Sequence, residues 1–334
     1  MLKFALWRLV ELVPVLVGVS ILVFFFIHLI PGDPAVVMAG DIATPKDIAA
    51  IRTRLGLDQP LDVQYLKYMA HLFHGDLGQS IQTNSPIAAE LGDRLPASLE
   101  LALTAMGIAV VVGLAAGVVS AMRPGSAVDT ASMVGALVGV SMPIYVLGLI
   151  AIWFFAVQLK WLPPGGRLGT DTVLVKVTGL FVLDSIVAGN WRGLGDAVAH
   201  LAIPACALST VPMAIIARIT RSSLLDVMAQ DFIRTAYGKG LAGRAVVVRH
   251  ALKNAMLPVV TVLGMQFGVI LSGAVLTETI FAWPGIGRWV YEAIQTRDYP
   301  VVQGMTLFIG LVFIATNFLV DILYAWLDPR IQYQ

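Results

Sequence analysis

Six long apolar stretches, separated by polar segments, constrain this chain more than any other feature. Crossing a hydrocarbon core of about 30 Å takes roughly 20 helical residues. The stretches are continuously apolar and do not alternate with period two, which favours helices over a membrane β-barrel. Charged residues make up only 13% of the chain, against about 25% in soluble domains. The sequence therefore predicts an all-α polytopic membrane protein with six transmembrane helices, at Leu9–Ile30, Ala102–Ala121, Ala131–Val157, Ala197–Ala217, Met256–Thr277 and Val301–Val320.

The first stretch has one feature of a secretory signal, because Lys3 and Arg8 precede it. It is too long for the apolar region of a signal peptide, and Pro31-Gly32-Asp33-Pro34 follows it without a small-residue cleavage pattern. We therefore expect a retained first helix. The single cysteine, Cys206, lies within the fourth stretch, so the chain can form neither an internal disulfide nor a cysteine-based zinc site.

The orientation follows from the distribution of basic residues. Six spans place both termini on one side of the membrane. Loop 218–255 carries seven Lys and Arg against two Asp, and positively charged loops of moderate length stay in the cytoplasm. We expect that loop and both termini to be cytoplasmic.

One membrane domain, 1–334, accounts for the whole chain, with three segments outside the bilayer. Residues 31–98 are predicted to form an external helical cap, with one helix ending near Leu55 at Gly56 and another over Leu61–Phe73. Residues 158–196 are predicted to be an external loop insertion in which Val173–Val187 is interfacial or re-entrant, because it is too short and too charged to span. Residues 218–255 form the cytoplasmic loop.

The cytoplasmic loop contains a segment with the signals of a short capped helix. Asp231 is a good N-cap residue and Gly240 a good helix stop. A capped helix held just outside the bilayer indicates a contact with another protein. The residues expected to pack outward are Phe232, Ile233, Ala236 and Tyr237.

A second polar segment, Glu278–Arg288, follows the fifth stretch and has two interpretations. It is either a turn anchored by an interfacial tryptophan or part of an outer gate. In the gate interpretation the Glu278 carboxylate is only partly desolvated and stays ionised, and the neighbouring turn moves as a lid. The gate residues would be Glu278, Trp283, Pro284, Gly285 and Arg288.

Other motifs inside the stretches leave alternatives open. Gly113-x-x-x-Gly117 and Gly135-x-x-x-Gly139 allow close helix approach, either within the chain or at a dimer interface. Kinks at Pro143, Pro204 and Pro212 would serve a gate or merely shape the bundle. Ionisable residues fall near the ends of the stretches, which disfavours an ion-coupled secondary transporter. A scaffold or sensor is a further alternative, but it gives loop 218–255 no purpose.

Several segments, in order along nearly the whole chain, resemble one family. It is the permease subunit of dipeptide, oligopeptide and nickel ATP-binding-cassette importers, specifically the first of its two permease types. The segments are His28-Leu29-Ile30-Pro31-Gly32-Asp33-Pro34, Leu55-Gly56-Leu57-Asp58-Gln59-Pro60, His74-Gly75-Asp76-Leu77-Gly78-Gln79-Ser80, Asp231–Pro258, Leu276-Thr277-Glu278-Thr279-Ile280-Phe281-Ala282-Trp283-Pro284-Gly285, Asp321-Ile322-Leu323-Tyr324 and Asp328-Pro329-Arg330.

The resemblance implies a type I importer permease in a bacterial inner membrane, with no catalytic site or cofactor of its own. It implies a pore shared with a second permease, two cytoplasmic ATPase subunits that bind ATP and Mg²⁺, and an external solute-binding protein that delivers di- or oligopeptides. No nucleic-acid partner is expected. Nickel, glutathione-like peptides and oligosaccharides remain alternative substrates.

The resemblance also implies that loop 231–258 is the permease–ATPase coupling motif. Its general form has Glu-Ala-Ala, three residues, Gly, then Leu-Pro some thirteen residues later. Here Arg234-Thr235-Ala236 stands in place of Glu-Ala-Ala, as in peptide-type permeases, and Pro258 follows Gly240 by eighteen positions. The residues implied to couple are Asp231, Arg234, Thr235, Ala236, Lys239, Gly240, Leu241, His250, Asn254 and Pro258.

Overall fold

The computed structural model describes residues 2–29, 35–36 and 44–327, and within them the chain is helical with no strand. Segments 30–34 and 328–330 of the resemblance lie outside the described residues. The helices are α1 Leu2–Leu29, α2 Pro45–Leu55, α3 Leu61–Phe73, α4 Ile87–Met122, α5 Ala127–Ser141, α6 Ile144–Ala151, α7 Phe181–Val187, α8 Trp191–Met228, α9 Asp231–Gly238, α10 Gly243–Ala245, α11 Leu252–Gly273, α12 Val275–Ile280, α13 Ile286–Gln295 and α14 Tyr299–Leu327. Two π-helical segments, Ile152–Gln158 and Val246–Ala251, continue α6 and join α10 to α11.

The six predicted stretches all fall on helical segments. Among the described residues four helices are long and apolar enough to cross a membrane, namely Ile87–Met122, Trp191–Met228, Gly243–Leu271 and Tyr299–Val320. The α1 helix has 28 residues and contains the apolar stretch Val10–Phe25. The all-α membrane fold is therefore confirmed.

The third predicted span is not one straight helix, because α5 and the helix that follows it are bent by 102° at Pro143. Proline has no amide hydrogen, and it pushes the residue before it towards extended backbone. Met142 accordingly has φ −88 and ψ 124. By contrast, Pro204 and Pro212 lie inside α8 without ending it. The third predicted stretch is therefore helical but broken, and the kink predicted at Pro143 is confirmed as a full break.

The centre of the bundle is α8, which packs against α4, α5 and α11. Gly113 and Gly117 allow the close approach of α4 to α8. A Cβ at Gly117 would lie 2.6 Å from the Ala217 carbonyl oxygen and from Thr220 Cβ. This confirms the interpretation of the first glycine pair as packing within the chain.

The segments that were predicted to be external are helical where helices were predicted, with one correction. The Gly56 stop of α2 has φ +67, and α3 packs on α1, with the Tyr65 hydroxyl 2.8 Å from Ser20 Oγ. However, α4 begins at Ile87 and runs through Pro96, so the last part of segment 31–98 belongs to a spanning helix.

Within residues 173–187, which were predicted to be interfacial or re-entrant, only Phe181–Val187 is helical. The buried carboxylate of Asp184 accepts the N–H groups of Val177, Thr178 and Gly179 at 2.8–3.2 Å. These bonds hold the preceding residues in a turn that competes with a helix. Burial opposes ionisation, yet the hydrogen bonds keep the pKa of Asp184 below its usual range.

Candidate functional site

One face of α9 is anchored in the protein. Ile233 and Ala236 are 1% and 6% exposed, and they pack in a cluster with residues of α8, the π-helical segment and α11, including Leu224, Val246 and Ala255. Residues three apart lie on the same face of a helix, and so short a helix is stable only if it buries one face. Outward packing was therefore wrong for Ile233 and Ala236.

The outer face of α9 carries Phe232 and Tyr237, for which the prediction of an outward orientation is confirmed. Phe232 and Tyr237 are 40% and 45% exposed. Basic and polar side chains surround them, since Arg234, Thr235 and Lys239 are also exposed. We call this set, together with the exposed Leu241, the α9 surface. It presents apolar and cationic groups side by side.

The two ends of α9 differ in how well the sequence predicted them. Gln230 occupies the N-cap position without a side-chain hydrogen bond, and Asp231 is the first helical residue, 3.5 Å from Arg234. The N-cap prediction for Asp231 was wrong, although a carboxylate in the first turn still suits the helix dipole. At the other end Gly240 has φ +77, and its N–H donates to the Tyr237 carbonyl at 2.9 Å. The glycine stop is confirmed.

The remaining residues of the predicted coupling motif lie beyond α9. His250 is in the π-helical segment, and its carbonyl accepts the Asn254 Nδ2–H at 2.8 Å. Pro258 lies inside α11 and is exposed. The loop thus brings the α9 surface together as one patch and places His250, Asn254 and Pro258 on the neighbouring helix. Their coupling role stays a prediction.

Two polar contacts at this end of the bundle were not visible in the sequence. Arg221 of α8 donates from Nε and Nη2 to both oxygens of Asp129 in α5, at 2.6 and 2.7 Å. Ser223 Oγ–H donates to the Ala255 carbonyl of α11 at 2.8 Å. The end of α8 that leads to α9 is therefore tied to α5 and to α11, and a bidentate ion pair fixes orientation as well as distance.

On the opposite side of the bundle, Glu278 is fully buried. Its carboxylate accepts the Ser98 hydroxyl at 2.5 Å and the Arg288 N–H at 2.9 Å, and also the Gly287 N–H. Ser98 Oγ in turn accepts the Ile286 N–H at 2.8 Å. A carboxylate at the first turn of α13 satisfies N–H groups that have no partner within that helix.

The expectation of a partly solvated Glu278 was therefore wrong, because the turn after α12 folds back onto α4. Burial raises the pKa of Glu278, and the hydrogen bonds from Ser98, Arg288 and Gly287 offset only part of that rise. The carboxylate serves as an internal cap and is not open to the outside.

Trp283 is also buried, with 1% of its surface exposed, and its Nε1–H donates to the Ala97 carbonyl at 2.8 Å. It is neither an interfacial anchor nor a free lid. A side chain at Gly285 would overlap Glu278 and Ser98, while Pro284 is exposed. Arg288 pairs with Glu292 at 2.7 Å. A gate role for these residues stays a prediction.

Comparison with protein families identifies the chain. The model for "Binding-protein-dependent transport system inner membrane component" matches residues 109–333, and the model for the N-terminal part of such components matches residues 1–102. The chain belongs to this family. The resemblance drawn from the sequence is confirmed, and the fold of this permease is the type I ABC permease fold.

Relatives match the permease over its full length. It is 50% identical over 333 residues to the dipeptide transport system permease protein of Alkalihalophilus pseudofirmus, with all of both chains covered. It is 45% identical over 339 residues to the dipeptide transport system permease protein of Escherichia coli K12, again with full coverage. Identity to the glutathione transport system permease protein of Salmonella paratyphi A is 39% over 334 residues, also with full coverage.

Proposed function

We propose that this permease forms half of the transmembrane path of an ATP-driven importer for dipeptides. The similarity to dipeptide permeases at 45–50% identity over the whole chain supports this substrate class. The glutathione permease is more distant, at 39%, which makes glutathione the secondary candidate. No observation favours nickel or oligosaccharides.

The observation that carries the mechanism is the double character of α9. Its inner face is packed against α8 and the segment leading into α11, and its outer face leaves aromatic and basic side chains exposed. A docked partner that moves α9 must therefore move the ends of two spanning helices. Rigid-body motion of this kind switches a pore between inward-open and outward-open states.

The proposed partners follow from the different roles of the inner and outer faces of α9. Two ATPase subunits bind ATP and Mg²⁺ and dock on the α9 surface, so this chain is the non-catalytic subunit. A second permease completes the pore, and an external solute-binding protein biases the equilibrium by binding one state more tightly than the other. We place the complex in the bacterial inner membrane with α9 and both termini in the cytoplasm, because loop 218–255 is rich in basic residues.

Uptake of a radiolabelled dipeptide tests the proposal. A strain lacking its own dipeptide permease, supplied with this permease and its partner subunits, should accumulate alanyl-alanine, and unlabelled glutathione should compete weakly. Accumulation should stop when ATP is depleted while the membrane stays energised. Uptake that survives ATP depletion would instead indicate a secondary transporter, and preferential competition by glutathione would reassign the substrate.

A further inference from the structure

A cleft of about 560 Å³ opens where three external segments of the permease meet. These are the beginning of α4 with the turn before it, the 158–196 loop with α7, and the turn between α12 and α13. Of the predicted coupling and gate residues, Pro284 alone lines this cleft, so those predictions assign the cleft no role. Its lining residues are Thr83, Ser85, Glu90, Asp93, Arg94, Arg167, Phe181 and Pro284.

The cleft contains charges of both signs in equal number. Glu90 lies 3.6 Å from Arg94, a distance too long for a hydrogen bond. Asp93 pairs with Lys176 at 2.5 Å. The guanidinium group of Arg94 lies over the Trp289 ring, 5.1 Å from its centroid. Each acidic group of the lining is thus held beside a basic group.

Arg167 is fixed in place by several contacts. It is only 8% exposed, and its Nη2 donates to Glu100 at 2.5 Å and to the Gly179 carbonyl at 2.8 Å. Its guanidinium carbon lies 3.7 Å from the centroid of the Phe181 ring. The direction of every remaining N–H is therefore set before any ligand arrives.

Two buried atoms of the lining residues have no hydrogen-bond partner among the residues that the structure describes. One is the Nε–H donor of Arg167, and the other is the Oε2 acceptor of Glu90, the oxygen that lies 3.6 Å from Arg94 Nη2 in the ion pair. The second oxygen of Glu90 accepts the Thr83 hydroxyl. Buried donors and acceptors are costly when they stay unpaired. One spare donor and one spare acceptor in the same cleft indicate a ligand that supplies the complement of each.

We propose that this cleft is a binding site for the zwitterionic ends of a short peptide entering the pore. The α-ammonium group donates to Glu90 Oε2, beside Asp93, and the α-carboxylate accepts from Arg167 Nε–H and faces Arg94. Phe181 and Pro284 provide apolar walls that contact peptide side chains without selecting among them. This inference rests on the proposed function for its substrate class.

The balance of charges favours a zwitterion over other small ligands. A phosphate or another anion would meet the carboxylates of Glu90 and Asp93, whereas a polyamine would meet Arg94 and Arg167. A peptide with a free α-ammonium and a free α-carboxylate group can pair with both the acidic and the basic side chains of the cleft. Charge-assisted hydrogen bonds of this kind are stronger than those between neutral groups. A peptide blocked at one end leaves one of the spare atoms unpaired.

Binding of alanyl-alanine to the assembled complex in nanodiscs, without the solute-binding protein, tests the site. Saturation-transfer NMR at millimolar peptide should detect binding to the unmodified complex. Glu90→Gln should weaken that binding about tenfold, the worth of one charge-assisted hydrogen bond. Binding of N-acetyl-alanyl-alanine should already be weak in the unmodified complex and unchanged by Glu90→Gln. Arg94→Gln should reduce the preference for the free carboxylate over the C-terminal amide.

Asp171→Asn is the matched control, because Asp171 is an exposed carboxylate of the 158–196 loop, which also carries Arg167 and Phe181, and it does not line the cleft. It should bind alanyl-alanine like the unmodified complex, and all variants should assemble equally. No binding to the unmodified complex, or equal binding by Glu90→Gln, overturns the proposal. Weaker docking of the solute-binding protein with unchanged peptide binding also overturns it and makes the cleft a protein contact. Uptake measured in parallel separates the proposed binding site from the proposed function. Normal dipeptide uptake with no effect of Glu90→Gln refutes the binding site alone. Absent uptake by the unmodified complex refutes the proposed function.

Discussion

Replacing Gly240 with valine is expected to uncouple ATP hydrolysis from uptake. Gly240 ends α9 in a left-handed conformation, with φ +77. A Cβ built there meets no atom within 4 Å. The effect of a side chain is therefore purely conformational, and no clash with a neighbour obscures it.

The magnitude follows from the backbone. A residue with a Cβ pays about 1–2 kcal/mol in the left-handed helical region, and a β-branched residue is worse there. That cost lowers the population of the native left-handed conformation at position 240 about 5–30-fold relative to other conformations of the segment. Because Ile233 and Ala236 hold the rest of α9, the strain acts on the segment from Lys239 to Leu241 at the edge of the α9 surface.

The assay compares alanyl-alanine uptake and ATP hydrolysis in proteoliposomes of the full complex. Gly240→Val should assemble normally and hydrolyse ATP, but with less uptake per ATP. Gly240→Asn should retain most of the coupling, since asparagine tolerates the left-handed region. Gly238→Ala is a second control, because Gly238 is helical and its Cβ also meets no atom within 4 Å.

The ranking glycine, asparagine, alanine, valine at position 240 is the signature of the backbone argument. If Gly240→Val couples as well as the unmodified complex, the left-handed stop plays no part in docking. If Gly238→Ala uncouples as strongly as Gly240→Val, side-chain bulk and not backbone strain is responsible.

Three further predictions rest on neighbouring features. Ile233→Ala should lower the thermal stability of the complex by about 2–5 kcal/mol. Phe232→Ala should leave stability unchanged and weaken ATPase association in a pull-down. Equal loss of stability in both variants would contradict the assignment of the inner and outer faces of α9. Burial raises the pKa of Glu278, so the stability of the complex should fall as pH rises from the ordinary carboxyl pKa through the raised value. Melting curves of Glu278→Gln should lose this dependence of stability on pH. The same pH dependence in both proteins would refute the burial argument. In a cysteine-free background, Asp171→Cys should react with an impermeant thiol reagent from outside intact cells and Lys239→Cys should not; labelling at position 239 would reverse the orientation.

The sequence predicted well those features that depend on local composition. The six helical stretches follow from continuous apolar runs, and the stops at Gly56 and Gly240 follow from the freedom of glycine to adopt positive φ. The third stretch is broken at the predicted kink, Pro143, where proline signals a break but not its angle. Local rules therefore predicted the fold, including the exposed Phe232 and Tyr237.

Features that depend on long-range contacts were missed or misjudged. Whether Ile233 faces out or in depends on where α8 and the segment before α11 lie. Ser98 and Glu278 are 180 residues apart, and nothing in either segment indicates that they meet. A single sequence without its tertiary contacts cannot distinguish an exposed gate carboxylate from a buried helix cap.

The length of α8 has a consequence for how motion travels through this permease. Its 38 residues at about 1.5 Å each give a rod of about 57 Å, nearly twice the hydrocarbon thickness of about 30 Å. One end leads directly to α9, and the other carries Asp196, whose carboxylate accepts the Gly169 N–H of the 158–196 loop at 2.7 Å. Such a rod acts as a lever arm: pivoting it by about 5° about one end displaces the other by about 5 Å, close to one helical turn. Under the proposed coupling, a small movement of α9 would be converted by this lever into a displacement of about that size at the end of α8 that carries Asp196.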